Sequence, residues 1–426
     1  MSPVQRAIES AWRVEAPRLI GGLVRLTRDV GRAEDLAHEA LVIALERWPE
    51  TGIPHNPGAW LMTAARNRGL DALRHDARVA EKHAEIQAVA RFSTEPDEAI
   101  EVGDDRLRLI LIACHPILSV DARVALTLRL LGGLTTDELA RAFLVAESTM
   151  AQRIVRAKRT LTEARVPFEV PTGTALHDRM PAVLEVIYLI FNEGYWATSG
   201  ADVVRPALCA DALRLGRTLA ALVPLAAEVH GLLALMEIQA SRMRTRVAAD
   251  GSPVLLQDQN RARWDHLAIR RGLDALARAE KRAQPLGPYT LQAAIAACHA
   301  RARSTEATDW WRIVALYDAL VEVTGSPVVA LNRAVAVSMA AGPEAGLELV
   351  DALANGPALQ SYPLLITVRG ELLARLGRIP EARAELRRAA AATTHLRERE
   401  RLYARMHALD PSAVDPDPMP GGDFSA

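Results

Sequence analysis

Three stretches of this chain carry apolar residues at successive gaps of three or four, a spacing that fits one face of an α-helix and no extended strand. They are Ala37, Leu41, Ala44 and Trp48; Met62, Ala65, Gly69 and Leu73; and Met150, Ile154, Ala157 and Leu161. No run alternating with period two is long enough to demand a sheet, so the fold class is all-α. Composition agrees, because the strong helix formers Ala, Leu and Arg dominate and aromatics are only 4% of residues. At 426 residues, 50% of them apolar, the chain can fill two to four domains.

Breaks in the helical pattern set the domain boundaries. Residues 5–80 read as one helical domain. The segment STEPDEAIEVGDD at 93–105 has six acidic residues and no basic one, so 81–105 reads as an acidic linker, mobile through self-repulsion. Helical periodicity returns over 106–166 and stops at VPFEVPTGT, where Pro167 and Pro171 cannot continue a helix. Residues 175–300 read as a helical extension, interrupted by the turn-like DGSPVLLQDQN at 250–260. The apolar stretch Leu219 to Met236 reads as a buried helical hairpin, since Pro224, Glu228 and His230 interrupt it too often for a membrane span. Over 301–410, GPEAGLELVDAL and RIPEARAELRRAA share a Pro-Glu-Ala start at a separation near the period of tetratricopeptide (TPR) repeats. The Pro/Gly-rich 411–426 reads as a disordered tail.

The formal net charge of −1 excludes a uniformly basic nucleic-acid binder, so any DNA contact must come from local basic faces. Cys114, Cys209 and Cys298 lie far apart with no metal-ligand spacing, which indicates neither a zinc site nor a disulfide framework and suits a reducing cytoplasm. The eleven histidines show no HExxH-like spacing, and the start MSPVQRAIESAW has no apolar secretory core. No metal, cofactor or membrane partner is expected.

Three polar faces lie beside the apolar stripes. In AEDLAHEALVIALERW, residues Asp35, Glu39, Val42 and Glu46 make an acidic stripe with one apolar member, either a solvated face or a dock for a basic partner. In GAWLMTAARNRGLDALRHDAR, residues Asn67, Asp71, Arg74 and Arg78 line another face, either simply solvated or a nucleic-acid contact; Asn and Arg can pair with base edges or hold phosphates, and Trp60 with the loop before it could support an unstacked base. LTTDELARAFLVAESTMAQRIVRAKRTL at 134–161 reads as a helix-turn-helix, with Thr135 or Thr136 capping its first helix and small Ala140 at the crossing. Its second helix presents Ser148, Thr149, Gln152, Arg153, Arg156 and Arg159, base readers first and cations further on. Between 152 and 165 there are five basic residues and one acidic, a field suited to DNA.

In this order, around an acidic linker, the three segments resemble the two conserved domains of extracytoplasmic-function (ECF) RNA polymerase sigma factors. The resemblance implies that the first is the region 2.2 helix that binds the clamp helices of the polymerase β′ subunit. The second resembles regions 2.3–2.4, which open and read the −10 element, and the third resembles region 4.2, which reads the −35 element beside the β flap. Leu144 stands where many such turns have Gly, and Ala146 where many have a capping Ser. The remainder resembles the ECF subfamily with a C-terminal TPR-like extension, on the segments IFNEGYWATSG at 190–200 and DGSPVLLQDQNRARWD at 250–265 and the helix pairs after 305. The implied architecture is two small helical sigma domains, region 2 and helix-turn-helix region 4, plus a C-terminal helical, TPR-like domain. The implied partners are core RNA polymerase, promoter DNA, and a regulatory protein or ligand at the extension. The acidic linker is expected in the RNA path.

The alternative is a polymerase-independent DNA-binding regulator with a TPR interaction scaffold, which would need neither the acidic stripe nor a separate −10-like helix. A third possibility, an enzyme housed in 180–300, lacks a nucleophile–base pair. Two polar-aromatic clusters, Asn192, Glu193, Tyr195 and Trp196, and Asp258, Gln259, Arg261, Trp264 and Asp265, read as a buried network joining helical layers, or else as a pocket.

Overall fold

The computed structural model describes residues 3–81, 101–143, 145–171, 173–195, 205–248, 254–356, 359, 362–393 and 396–411. Among these residues there are eighteen α-helices and no strand. The chain divides into two compact units, one of residues 1–194 with 205–224, the other of 195–204 with 225–426.

The first unit opens with α1 (Pro3–Thr27), α2 (Val30–Thr51) and α3 (Pro57–Glu81), which pack on one another. Asp29 starts α2 by accepting from the Arg32 backbone N–H at 2.8 Å, and Gly52 ends it at φ 82°, a conformation that favours glycine. Ala37, Ala44 and Trp48 are buried and Leu41 half-buried, so the apolar stripe of α2 faces the core. Next come α4 (Glu101–Ala113), α5 (Val120–Thr127), α6 (Thr136–Ala142) and α7 (Glu147–Glu163). A wide helical turn at Leu128–Gly132 prolongs α5 and closes on Gly133 at φ 72°.

Two expectations are revised here. The acidic segment does not stay a linker to residue 105, because α4 begins at Glu101 and buries Asp105, which pairs with Arg108 at 2.6 Å. Acidic residues are favourable in a helix's first turn, and the apolar run after Asp105 supplies the burial. Residues 82–100, the rest of the expected linker, lie outside the described residues, as do Leu144 and 412–426 of the expected tail. The expected hairpin across Leu219 to Met236 is instead two helices serving different cores. Of these, α9 (Pro206–Leu222) belongs to the first unit and α10 (Ala227–Ala240) to the second.

The extension therefore begins inside the first unit. With α8 (Thr174–Tyr195), α9 lies in the first unit, where it packs beside α4 and the wide turn after α5. Arg214 on α9 donates to the carbonyls of Leu131 and Gly132 at 3.0 and 3.1 Å, satisfying acceptors at the wide turn. Arg123 on α5 reaches Glu185 on α8 at 3.3 Å. The α8–α9 crossing depends on Gly194, where a Cβ would lie 2.6 Å from the Cys209 nitrogen.

In the second unit every residue of α10 from Val229 to Ile238 is buried, as expected of a helix surrounded by others. It packs on α11 (His266–Glu280) and α12 (Pro288–Arg301). Glu228 fastens the start of α12, accepting from the backbone N–H of Tyr289 and Thr290 at 2.8 and 3.1 Å. Then α13 (Trp310–Thr324), α14 (Pro327–Ala340), α15 (Pro343–Ala354), α16 (Pro363–Arg375), α17 (Ile379–Ala392) and α18 (Leu396–Leu409) each pack on the next. Arg369 on α16 ties this series together, reaching Asp351 at 2.7 Å and Glu385 at 2.9 Å.

Candidate nucleic-acid interface

Each polar face singled out in the sequence sits on a helix whose opposite side is core. On α2, Asp35, Glu39, Val42 and Glu46 are all exposed, Val42 at 51%, while the intervening Leu36, Ala37, Ala40 and Ala44 are buried. Leu45, 43% exposed, adds a second apolar side chain to this acidic surface. On α3, Asn67 and Asp71 are exposed. Trp60 is half-buried, its ring edge-on to Trp48 at 5.4 Å between centroids, so the core holds one side of the indole. Arg74 and Arg78 lie on α3, with side chains outside the described residues. Arg68, exposed, pairs with Glu39 at 3.8 Å and joins the α2 and α3 surfaces.

The helix-turn-helix forms as a unit. Thr135 caps α6 in a reciprocal capping box: its hydroxyl accepts from the Glu138 N–H at 3.1 Å, and Glu138 accepts from the Thr135 N–H at 2.8 Å. Ala146 caps α7 with no side-chain bond. Met150, Ile154, Ala157 and Leu161 are buried at 0 to 5% exposure, and Ala140 is buried at the crossing. Ser148, Thr149, Gln152, Arg156 and Arg159 are exposed on the other side. Arg159 reaches along the helix to Glu163 at 2.6 Å. Arg153 is half-buried and pairs with Asp121, at the start of α5, at 3.6 Å, so part of its charge is answered within the protein.

Sequence reasoning passed over the charged seam between these helices. Glu34 on α2 is 2% exposed, with Arg129 at 2.6 Å from one carboxylate oxygen and Lys158 of α7 at 2.5 Å from the other. Arg129 also donates to the Leu134 carbonyl at 3.1 Å and lies 3.2 Å from the His38 ring. Nearby, the Thr162 hydroxyl donates to Asp29 at 2.8 Å. Burial by itself would raise the Glu34 carboxyl, but the Lys158 ammonium and the Arg129 guanidinium outweigh it and hold the group below its ordinary value. A signal for this was present. Glu34 precedes Ala37 by three residues, and Lys158 follows Ile154 by four, so both charges fall in phase with apolar stripes.

The comparisons with known proteins converge on these helices. Residues 12–79 match the family model of Sigma-70 region 2, and residues 108–161 match that of Sigma-70 region 4. The RNA polymerase sigma factor CarQ of Myxococcus xanthus is 33% identical over 32% of this chain and 75% of its own length. This chain belongs to the ECF-type RNA polymerase sigma factors. In sigma-factor terms, region 2 is α1–α3 and region 4 is α4–α7. A probable ECF RNA polymerase sigma factor SigI of Mycobacterium tuberculosis is 28% identical over 38% of this sigma factor and 57% of its own length. An uncharacterized protein of Rhizobium meliloti is 43% identical over 94% of both chains, so it shares the extension. Residues 179–280 match a family of unknown function, DUF6596, which spans α8 to α11 across the two units. No solved structure matches.

In the second unit, the polar-aromatic clusters of the sigma factor's extension are a packed network. Arg242 donates to the Tyr195 hydroxyl at 2.5 Å and lies over Trp264, Arg246 sits 3.7 Å over the Tyr195 ring, and Arg261 donates to the carbonyls of His299 and Ala302 at 2.7 and 2.9 Å. Gln259 donates to the Val254 carbonyl at 3.1 Å, and Asp265 caps α11. Glu193 instead pairs with Arg205 in the first unit, and Trp196 lies outside the described residues. Beside this network is a cavity of about 310 Å³, bordered by Arg261, His299, Trp310, Tyr317, Asn332 and Met339. Burial, with Arg242 and Arg261 nearby, pushes the His299 ring down to about 4, so it stays neutral at physiological pH. Among the described residues no helix is long and apolar enough to cross a membrane.

Proposed function

We propose that this sigma factor docks on core RNA polymerase through the outer face of α2, with Asp35, Glu39, Val42 and Glu46 meeting the clamp helices of the β′ subunit. The observation that carries this is an acidic surface with two exposed apolar side chains, Val42 and Leu45, on a helix whose other face, with Leu36, Ala37, Ala40, Ala44 and Trp48, is buried in the core. Charge steers encounter, and apolar contacts at the centre supply binding energy. Trp60, Asn67, Asp71, Arg74 and Arg78 engage the −10 element from α3. Ser148, Thr149, Gln152, Arg153, Arg156 and Arg159 engage the −35 element from α7, with region 4 beside the β flap. The protein directs promoter-specific initiation in the cytoplasm. Reversing Asp35 and Glu39 to Lys is expected to weaken core-polymerase binding at least tenfold with helicity unchanged. Equal affinity for core enzyme in a direct binding titration would refute the assignment of this face.

The extension, in this reading, regulates the sigma factor. Its first two helices are tied to region 4 through Arg214 and Glu185 and fall in the same compact unit, which a passenger domain would not need. The serial packing of α13 to α18 suits a TPR-like array whose surface takes a protein segment. The cavity beside His299 is within the size range of small-ligand sites.

A further inference from the structure

The cavity beside His299 lies wholly within the second unit, bordered by the turns at 255–261 and by α12, α13 and α14. The inference rests on its reading as a small-ligand site and names the ligand's chemistry. At about 310 Å³ the cavity is at the small end of such sites. Trp310, Ile313, Tyr317 and Met339 give it an apolar, partly aromatic wall. Arg261 gives it a cationic one, and the two adjoin. Arg261 donates to the His299 carbonyl at 2.7 Å, and the His299 ring meets Trp310 edge-on at 5.2 Å between centroids.

The Arg261 charge has no close counter-charge. One terminal nitrogen donates to the carbonyls of His299 and Ala302, and the other reaches the Thr308 hydroxyl at 3.4 Å. Among the described residues its Nε has no hydrogen-bond partner, and no carboxylate lies within ion-pair distance of it. The same holds for the neighbouring Arg242, whose terminal nitrogen donates to the Tyr195 hydroxyl and to Gln239. Other arginines of this unit are answered directly: Arg369 by Asp351 and Glu385, Arg271 by Glu237, Arg405 by Glu371. Burial and the Arg242 charge both push Arg261 below its ordinary value, and Glu306 offsets only part of this. Burial and the same two guanidiniums keep the His299 ring neutral, so the field beside the cavity is positive.

We propose that this cavity binds a small arylalkyl carboxylic acid as its anion, with the ring among Trp310, Tyr317 and Met339 and the carboxylate on Arg261. Carbonyls and a hydroxyl orient a guanidinium without neutralising it, so a partly desolvated Arg261 gains most from a ligand that brings the missing negative charge. One guanidinium with a single unpartnered face suits a singly charged, planar carboxylate. A phosphate, with three acceptor oxygens and nearly two charges, would be left short of donors here. Aromatic rings and a methionine thioether favour an aromatic body over a plain alkyl chain.

The test is a calorimetric titration of the full-length protein with phenylacetate and with phenylbutyrate, each beside its amide, which has the same shape and no charge. At least one acid is expected to bind in the millimolar range or tighter, and about tenfold or more above its amide, the scale of a hydrogen bond to a charged group. Arg261→Gln should bring the acid down to the affinity of the amide. Met339→Trp fills the cavity and should abolish binding of both. Equal binding of acid and amide by the wild type, or acid binding unchanged in Met339→Trp, would overturn the site. No binding of either acid would overturn it too, leaving the cavity as a seat for a side chain of a protein partner. If Arg261→Gln does not fold, the wild-type ratio of acid to amide and the Met339→Trp titration still decide. In vitro transcription with the acid present keeps this result apart from the regulatory reading: binding with transcription unchanged leaves the site standing and counts against regulation through it.

Discussion

At the residue scale, the helix-turn-helix separates side chains that hold the fold from the exposed side chains proposed to read DNA. Gln152 and Arg156 are exposed and project from the side of α7 opposite Met150 and Ile154. Alanine at Gln152 removes a proposed base contact, so it is expected to cost about 1–3 kcal/mol of discrimination at one position of the −35 element. Alanine at Arg156, if its contact is to phosphate, weakens all sequences alike and flattens the salt dependence. Promoter-binding titrations at two salt concentrations, on matched and single-substitution sites, separate the two. Promoter preference and salt slope unchanged in both variants would mean that this face does not touch DNA. Arg153 is expected to contribute less than its position suggests, because Asp121 already answers part of its charge.

At the element scale, α6 has only seven residues and little intrinsic stability, so its capping box matters. Thr135→Ala leaves the Glu138 N–H unsatisfied and should cost about 1 kcal/mol, whereas Thr135→Ser should retain most of it. Denaturant titrations of the two variants test this, and equal loss from both would show that the hydroxyl is not the stabilising group. How legible an element was depended on its amphipathicity. The stripe of α7 was readable because one side packs and the other meets solvent. All of α10 from Val229 to Ile238 is buried, so its periodicity carries no face, and the sequence suggested one hairpin where the fold assigns α9 and α10 to different units. The start of α4 was missed for a related reason: six acidic residues dominate 93–105, while the burial of Asp105 depends on helices distant in sequence.

At the scale of the whole molecule, the boundary of the promoter-binding part lies further along than the sequence break at Pro167 and Pro171. Ending the chain near residue 170 removes α8 and α9, with the Arg214 and Glu185 contacts, and uncovers the surface of α4 and the wide turn on which α9 packs. Ending it after Pro224 keeps the first unit whole. The 1–224 protein is expected to unfold cooperatively, and the 1–170 protein to be less stable by several kcal/mol, the scale of uncovering two or three large apolar side chains. Thermal unfolding of the two truncations checks this. Equal stability would mean that α8 and α9 are dispensable to region 4. In transcription assays, 1–224 differing from full length would place regulation in the second unit.

The sequence by itself determined the helical class, the three amphipathic helices, the helix-turn-helix and the family resemblance, because each is written in local spacing: three or four residues to a turn, with a cap at a start. The tertiary structure alone decided that Glu34 meets Arg129 and Lys158, that α8 and α9 join region 4, and that Arg153 is partly answered by Asp121. Glu34 and Lys158 are 124 positions apart, and although each falls in phase with the apolar stripe of its own helix, neither spacing says that the two meet. Only the packing of α7 against α2 removes water from both, and once water is gone a buried carboxylate must find its cations.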